Sequence, residues 1–563
     1  MASLYSKQVA GKTYWYLREM ARVDGKPKMV SERYLGSAAD IAAAMDARDT
    51  AIMPERTRHL AFGDVAAVWG MLNRVDLAGI VDGLVGARRA DAGASVGSYL
   101  ALATLNRVVD PCSKLAFADW WATTAADRFT RIPVRVLDHR RFGDAMHAVT
   151  TAELVEIERR VSARMIEVFG LDTSALALDM TNFATYLDTA NPHAPVAQRG
   201  KAKQKRADLR LVGLGLIVTR DGGIPLLSHT YPGNKPDVTQ FTTMIDELRA
   251  RHEQLGGDPT AITVVFDAGQ NSVANFAHLA AAGLHFVGSV PPSDCPDLLA
   301  LPAKQRRLVD TDRFDQLTAL DTRREVYGQA RRVVLTHSPS LHTAQARGFA
   351  QTLAKAQARL GVLADTLARG RTRRSAAKVT AEIDQIIKDP WVRRVLTWQL
   401  TGDTPAEHRL AWQVDDQARA ALAEEVFGKR ILATDHDDWP IAEVVAAYRS
   451  QSEAEFGFRQ LKDPDVVSFS PMHHWTEHNI RVHTQTCVFA LMIAHLMRRH
   501  AQQADLHLSV RAILDQLAGI GETVLIYPST GGRPKARRML TQTSPTQQHL
   551  MDIFDLHRWA PRS

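Results

Sequence analysis

The residues of this chain with the clearest capacity for chemistry are three acids. Asp179 lies near the end of the short apolar run ALALDM (175–180), Asp267 ends AITVVFD (261–267), and Glu455 sits inside YRSQSEAEFGFRQLK (448–462). An acid at a strand end stands on a rim that a ligand can reach. On a helix, steps of −4, +4 and +7 from Glu455 reach Gln451, Arg459 and Lys462, so one face carries an acid among an amide and two cations, while Phe456 and Leu461 point toward a core. Carboxylate oxygens grip hard divalent cations, and basic groups beside them grip phosphates. Each acid also has a structural reading. Asp favours turns and helix caps. Ser452 and Glu455 fit the S-x-x-E capping box, and Arg459 fits an i+4 ion pair with Glu455.

Such acids need a scaffold, and the pattern from 171 onward predicts one. The apolar run at 175–180 reads as a strand, 211–220 as a second, and 224–231 as its hairpin partner across a DGG turn. A helix over 238–255, the strand ending at Asp267, a helix over 271–282 and the strand HFVGSV follow. Strands alternating with helices in this order predict a mixed sheet covered by helices. Between 301 and 430 the rhythm breaks. Strand-like REVYGQARRVVLTH and RLAWQVDD flank a helical pair, in which Phe349, Leu353, Leu360, Leu363 and Leu367 face Val379, Ile383, Ile386 and Ile387. The expected division is a small mixed N-terminal domain (1–60), a helical domain (61–170), a core in two parts (171–300 and 431–500) around an insertion with a helical hairpin (301–430), and a tail (501–563) whose IYPSTGGRPKARRML is basic and loop-like.

The order and spacing of the acids resemble those of the DDE transposases of bacterial insertion sequences. In that family an RNase H-like domain carries the first Asp on its first strand, the second just after its fourth strand, and the Glu on a later helix. The predicted elements put Asp179, Asp267 and Glu455 in those places. The Glu helix resembles the Y-x2-R-x3-E-x6-K motif of one large branch. Tyr448, Glu455 and Lys462 match, while Gln451 stands at the Arg position and Arg449 lies on another face. LALDMTNFATY resembles the family's first-Asp block and YPGNKPDVTQF its loop after the third strand. KRILATDHDDWPIAEVVAAYRSQSEAEFGFRQLKD resembles the lead-in to the Glu helix, and a large insertion before it is typical of that branch. The likeness spans roughly 170–500.

The resemblance implies an α/β, RNase H-like mixed sheet with flanking helices, interrupted by the strand-plus-hairpin insertion and preceded by the small N-terminal and helical domains. It implies metal-dependent DNA cleavage and strand transfer, with Asp179, Asp267 and Glu455 as catalytic residues and ligands of two divalent cations, Mg²⁺ or Mn²⁺. Two such ions about 4 Å apart stabilise the attacking and the leaving oxygen of an in-line displacement. Tyr448 and Lys462, with Arg459 and Gln451 on the same helix, are the expected contacts to DNA. Trp439, in DHDDWP, is a candidate to stack on an extruded base, although most tryptophans are core residues. QRGKAKQKRADLR (198–210) gathers Arg199, Lys201, Lys203, Lys205, Arg206 and Arg210 into a basic loop that reads either as a phosphate contact or as a solvated loop. The partners implied are double-stranded DNA, as element ends and as target, and a second copy of the chain in a synaptic homodimer. End recognition is expected from the helical 61–170 region, with the N-terminal segment second.

The bulk composition agrees. The chain has 563 residues, too many for one core. A formal charge of +7 and a pI near 9.3 favour polyanionic partners. Three scattered cysteines without a CxxC argue against a disulfide scaffold or a thiolate zinc site and fit a reducing cytoplasm, where the protein would lie with the nucleoid. MASLYSKQVAGK has no signal-peptide core, and CVFALMIAHLM (487–497) is too short to cross a bilayer, so a buried helix and no membrane are expected. GKT at 11–13 is no P-loop, because Ser6 stands at the required first glycine, and GLG at 213–215 lacks the third glycine of a dinucleotide fingerprint. His474 and His478 are four apart but have no further ligands nearby. Two rival readings remain: another RNase H-like metal-dependent nuclease, and a non-catalytic DNA-binding regulator derived from a transposase, which Gln451 favours.

Overall fold

In the computed structural model the described residues are 2–23, 26–49, 53–86, 93–201, 208–254, 261–371, 373–528 and 535–561. Lys203, Lys205 and Arg206 lie outside them. The chain forms two compact units.

The smaller unit comprises 1–61, 520–543 and 559–563. It holds an antiparallel meander of Ala2–Val9, Lys12–Val23 and Lys26–Ser37, followed by the helix Ala38–Asp49. A second sheet pairs Arg56–Ala61 with Gly521–Ile526, and that strand with Ala536–Leu540. The basic tail is therefore strand at 536–540, not loop. Its order comes from pairing with a strand in the same unit, which local composition does not reveal.

The larger unit is built on a ten-stranded mixed sheet. Its main strands are β1 (Ala175–Thr185), β2 (Arg210–Thr219), β3 (Pro225–Pro232), β4 (Thr263–Phe266), β5 (His285–Val290), β6 (Thr318–Val326), β7 (Gln329–His337) and β8 (Lys429–Thr434). Across the sheet they run β6, β7, β8, β5, β4, β1, β2, β3, with short strands Arg307–Leu308 beside β6 and Gln198–Arg199 beside β2. β1, β2 and β3 are antiparallel neighbours, and β4 and β5 run parallel to β1. The first five strands thus lie 3-2-1-4-5. β8 is antiparallel to both β5 and β7. The fold is the mixed α/β sheet expected. The stretch REVYGQARRVVLTH enters this same sheet as the end of β6 and β7, joined at Tyr327 and Gly328.

Every residue of β2 is buried, which is why its sequence is a continuous apolar run rather than an alternation. Its glycines have a packing cause. A Cβ on Gly213 would meet the Tyr231 ring at 2.3 Å, and one on Gly215 the Met244 sulfur at 2.3 Å.

Helices Gly63–Val75, Leu77–Val85, Val96–Val109 and His139–Ala148 precede α1 (Thr151–Phe169), which opens on a complete Thr150–Glu153 capping box. The insertion forms α2 (Pro339–Ala368) and α3 (Ala376–Ile386), and all nine stripe residues are buried in one cluster between them and the neighbouring Leu396–Thr401 and Arg409–Val414 pair. Then come α4 (Ile441–Arg449), α5 (Gln451–Leu461) and α6 (Glu477–Gln503). α6 is longer than its apolar centre announces. By length and composition it could span a membrane, but 94% of its most apolar window is buried inside the protein. Helices Gly63–Val75, Val96–Val109, His139–Ala148 and α1, together with β3, pack against it.

Candidate active site

Asp179 is not at a strand end. β1 continues to Thr185 along β2, and what stops beside Asp179 is the neighbouring strand β4. The β1–β4 pairing runs Ala175↔Thr263, Leu176↔Val264, Ala177↔Val265. Continued by two residues, that register brings Asp267 level with Asp179. Neighbouring strands lie about 4.8 Å apart, and residues an even number of positions along share one face. Both aspartates are half-buried. Asp267 also caps the short turn 268–270, accepting from the Gly269 N–H at 3.0 Å through Oδ1. Its cap role and its place beside Asp179 therefore coexist.

The Glu455 helix is held against this part of β1 by two side chains. The Gln451 amide donates from Nε2 to the Leu178 carbonyl at 3.0 Å, and Lys462 donates from Nζ to Thr181 Oγ1 at 2.7 Å. Leu178 and Thr181 bracket Asp179 in the strand, and Gln451 and Lys462 bracket Glu455 on the helix stripe. The helix thus presents Glu455 along the strand segment that carries Asp179.

The capping-box reading of Glu455 fails. α4 ends at Arg449, α5 begins at Gln451, and Ser452 is already inside the helix, with its hydroxyl donating to the Arg449 carbonyl at 2.7 Å. Glu455 is exposed and has no hydrogen bond or ion pair among the described residues. Half a turn earlier Glu453 does have one, with Arg498. Arg459 lies over the Phe456 ring rather than on Glu455.

Other expected contacts are placed differently from their sequence reading. Gln451 is 4% exposed, so it ties helix to strand instead of facing DNA. Its Oε1 is buried without a hydrogen-bond partner. Arg210 is buried, with its guanidinium donating to the carbonyls of Asp188, Asn191, Ala194 and Ala197. It anchors the base of the basic loop rather than forming part of its charge. Arg199 and Lys201 are exposed, and Asn182 of β1 donates to the Lys201 carbonyl at 3.1 Å, so the start of the loop is tied to the strand of Asp179. Tyr448 is half-buried, with the Arg430 guanidinium 4.9 Å from its ring centre. With Arg430, Arg449, Thr336, Ser338 and Ser340 it lines a cavity of about 340 Å³.

Trp439 is not beside the acids. It follows β8, which runs opposite to β4 and β5, and so it lies at the opposite end of the strands, on the rim away from Asp267. Its ring stacks on His436 at 3.7 Å between centres. His474 and His478 engage separate neighbours, the His483 ring and the Met146 carbonyl respectively. Burial, with Lys114 and Arg107 nearby, holds the His474 imidazole down to about 3.

Two residues of YPGNKPDVTQF join the site without having been singled out from the sequence. Tyr231 donates from its hydroxyl to Asp237 Oδ1 at 2.8 Å. Burial, then Asp237, then Asp179 push its phenol well above the ordinary range, so it stays protonated and donating. The glycine at 213 that makes room for its ring was the available signal.

Among the described residues, the ligand set whose atoms all lie within 4.8 Å of one another is His285, Asp435 and His436, at the edge of Trp439. The set of Asp179, Asp267 and Glu455 is more open.

A family model described as "Transposase DDE domain" matches residues 170–493. No curated protein matches the sequence. Among solved structures, the piggyBac transposase in a synaptic complex with hairpin DNA aligns over 83% of this chain and 82% of its own, at 9% identity and a TM-score of 0.38.

Proposed function

The chain belongs to the transposase DDE-domain family, and from that premise we propose that it is the transposase of an insertion sequence, which binds the element's ends and catalyses DNA cleavage and strand transfer. The observation that carries this reading is the pairing of levels in the sheet. Asp179 and Asp267 share a level on adjacent parallel strands, and the Gln451–Leu178 and Lys462–Thr181 bonds lay the Glu455 helix along the same segment.

The donor set fits hard divalent cations. Three carboxylates supply only oxygen, and the unpartnered Gln451 carbonyl oxygen lies one turn from Glu455. Asp179, Asp267 and Glu455 would hold Mg²⁺ or Mn²⁺. Such ions, when bound, supply charge stabilisation to both oxygens of the displacement. The chain's own part is positioning. Lys462 and Gln451 fix the helix, and Tyr231 holds Asp237 beside the site. Exposed Arg199, Lys201 and Arg459 give sequence-independent attraction to phosphates. The expected working form is a homodimer on double-stranded DNA in the cytoplasm, with the nucleoid.

The test is cleavage of a supercoiled plasmid carrying the gene with its flanking DNA, with and without Mg²⁺. Wild type should nick or excise at the element's ends only with the metal. Glu455→Gln, Asp179→Asn and Asp267→Asn should bind the same DNA and leave it intact. Cutting at sites unrelated to the ends would instead indicate a general nuclease, and undiminished cutting by all three variants would end the assignment.

A further inference from the structure

We propose that His285, Asp435 and His436 form a binding site for a borderline divalent cation, zinc foremost, separate from the three-carboxylate set. Their ligand atoms already lie within 4.8 Å of one another. His285 opens β5, and Asp435 and His436 follow β8, so the site joins two antiparallel neighbours at the end of the strands away from Asp267. Two imidazoles and one carboxylate are a donor set that suits zinc and that Mg²⁺ seldom selects.

Asp435 and His436 are each held by a partner beyond the cluster. Asp435 Oδ1 accepts from the Phe286 N–H at 2.9 Å, which turns Oδ2 toward His285 Nδ1, also at 2.9 Å. His436 Nε2 lies 2.8 Å from Thr263 Oγ1, and its ring is clamped on Trp439 with 8° between planes. Arg332 donates to the carbonyls of both His436 and Trp439, at 2.8 and 2.6 Å, which fixes the loop that bears them. Orientation of a metal-binding imidazole by such outer contacts is what makes a ligand set selective. Four-coordinate zinc with bonds of about 2.0–2.1 Å needs ligand atoms about 3.3 Å apart, a small opening of the present His285–Asp435 contact. The side chains of His285 and Asp435 are 40% and 33% exposed, so an ion has access from solvent and a fourth position for water. A bound ion would fasten the end of β8, and with it the Asp435–Pro440 loop that leads into α4 and the Glu455 helix.

The test uses the full-length protein stripped with EDTA, titrated with ZnCl₂ by calorimetry and with Co²⁺ by visible absorption. Wild type should bind one zinc per chain at this site, and its Co²⁺ form should show the d–d bands of a four-coordinate site with nitrogen ligands. His285→Ala, at a half-buried position, and Asp435→Asn, at an exposed one, should weaken zinc at least tenfold and lose those bands, while Glu455→Gln keeps them. The proposal is overturned if wild type takes up no zinc, or if His285→Ala and Asp435→Asn bind as tightly as wild type. It is equally overturned if zinc is lost in Glu455→Gln and kept in His285→Ala, which would move the ion to the carboxylate set.

Discussion

The two edges that the strand ends of one sheet form, one at each end of the strands, handle polar groups in opposite ways. At the edge of Trp439 the groups are matched within the chain. Asp435 is bonded to His285 and Phe286, His436 to Thr263, and Arg332 to Asp321 and two carbonyls. At the edge where β4 ends beside Asp179, the matching stops short. Glu455 stands exposed without a partner among the described residues, and Gln451 buries an oxygen that accepts nothing. A matched cluster contributes to folding through its own bonds. An exposed lone carboxylate contributes almost nothing, since water and salt screen it. The difference teaches where to look for chemistry. One edge holds the chain to itself, and the other keeps an acid, Glu455, that makes no bond among the described residues.

That contrast breaks most visibly at Glu455. Glu455→Gln should lower cleavage by at least roughly 10³-fold, as loss of one member of a unit does. Its melting temperature should match wild type, because no folded-state bond is removed. A variant that melts early would transfer Glu455 to the structural edge's logic. Gln451→Ala comes next. It removes the bond to Leu178 and leaves that carbonyl short of a partner, at about 1–3 kcal/mol of stability. By letting the helix shift, it should lower kcat by up to roughly 10²-fold with KM little changed. An Ala variant with normal kcat would mean that the bond holds nothing the reaction uses.

Much of the sheet was legible in the sequence because its signals are local. Apolar runs, the DGG turn and the helix stripes predicted β2–β5 nearly to their ends and the hairpin of α2 and α3, but they stopped β1 at Met180, five residues short, and left the first ten residues of α2 unread. The level of Asp179 against Asp267 was not legible, since register belongs to strand pairing and not to spacing along the chain. Glu455 could be placed on a helix face, but the choice between cap and site turned on a one-residue break at Ser450 that the sequence leaves unmarked. The match at Tyr448, Glu455 and Lys462 was visible. The consequence of Gln451 was not, because a polar residue bonded to a buried carbonyl and one facing DNA look alike in a motif. Arg210 was misread for the same reason: charge in a basic run gave no hint that its guanidinium closes four carbonyls. The cluster of His285 and His436 needed the antiparallel pairing of β5 and β8 to bring together residues far apart in sequence.

The smaller effects separate DNA contact from packing at the two edges. Arg459→Ala touches an exposed side chain whose one described contact is the Phe456 ring. It should leave stability unchanged, weaken DNA binding a few-fold, and reduce the slope of log affinity against log salt by about 1. Trp439→Leu should do the reverse. It removes the stack on His436, worth about 0.5–1.5 kcal/mol, so the protein should melt slightly earlier, while DNA affinity, salt slope and cleavage stay as in wild type. The reason is position: Trp439 follows β8 at the edge away from Asp267, and its ring is already used on the imidazole. If Trp439→Leu kept its stability and lost DNA affinity with no change in salt slope, stacking on a base would explain it better than stacking on His436, and the two edges would both face DNA.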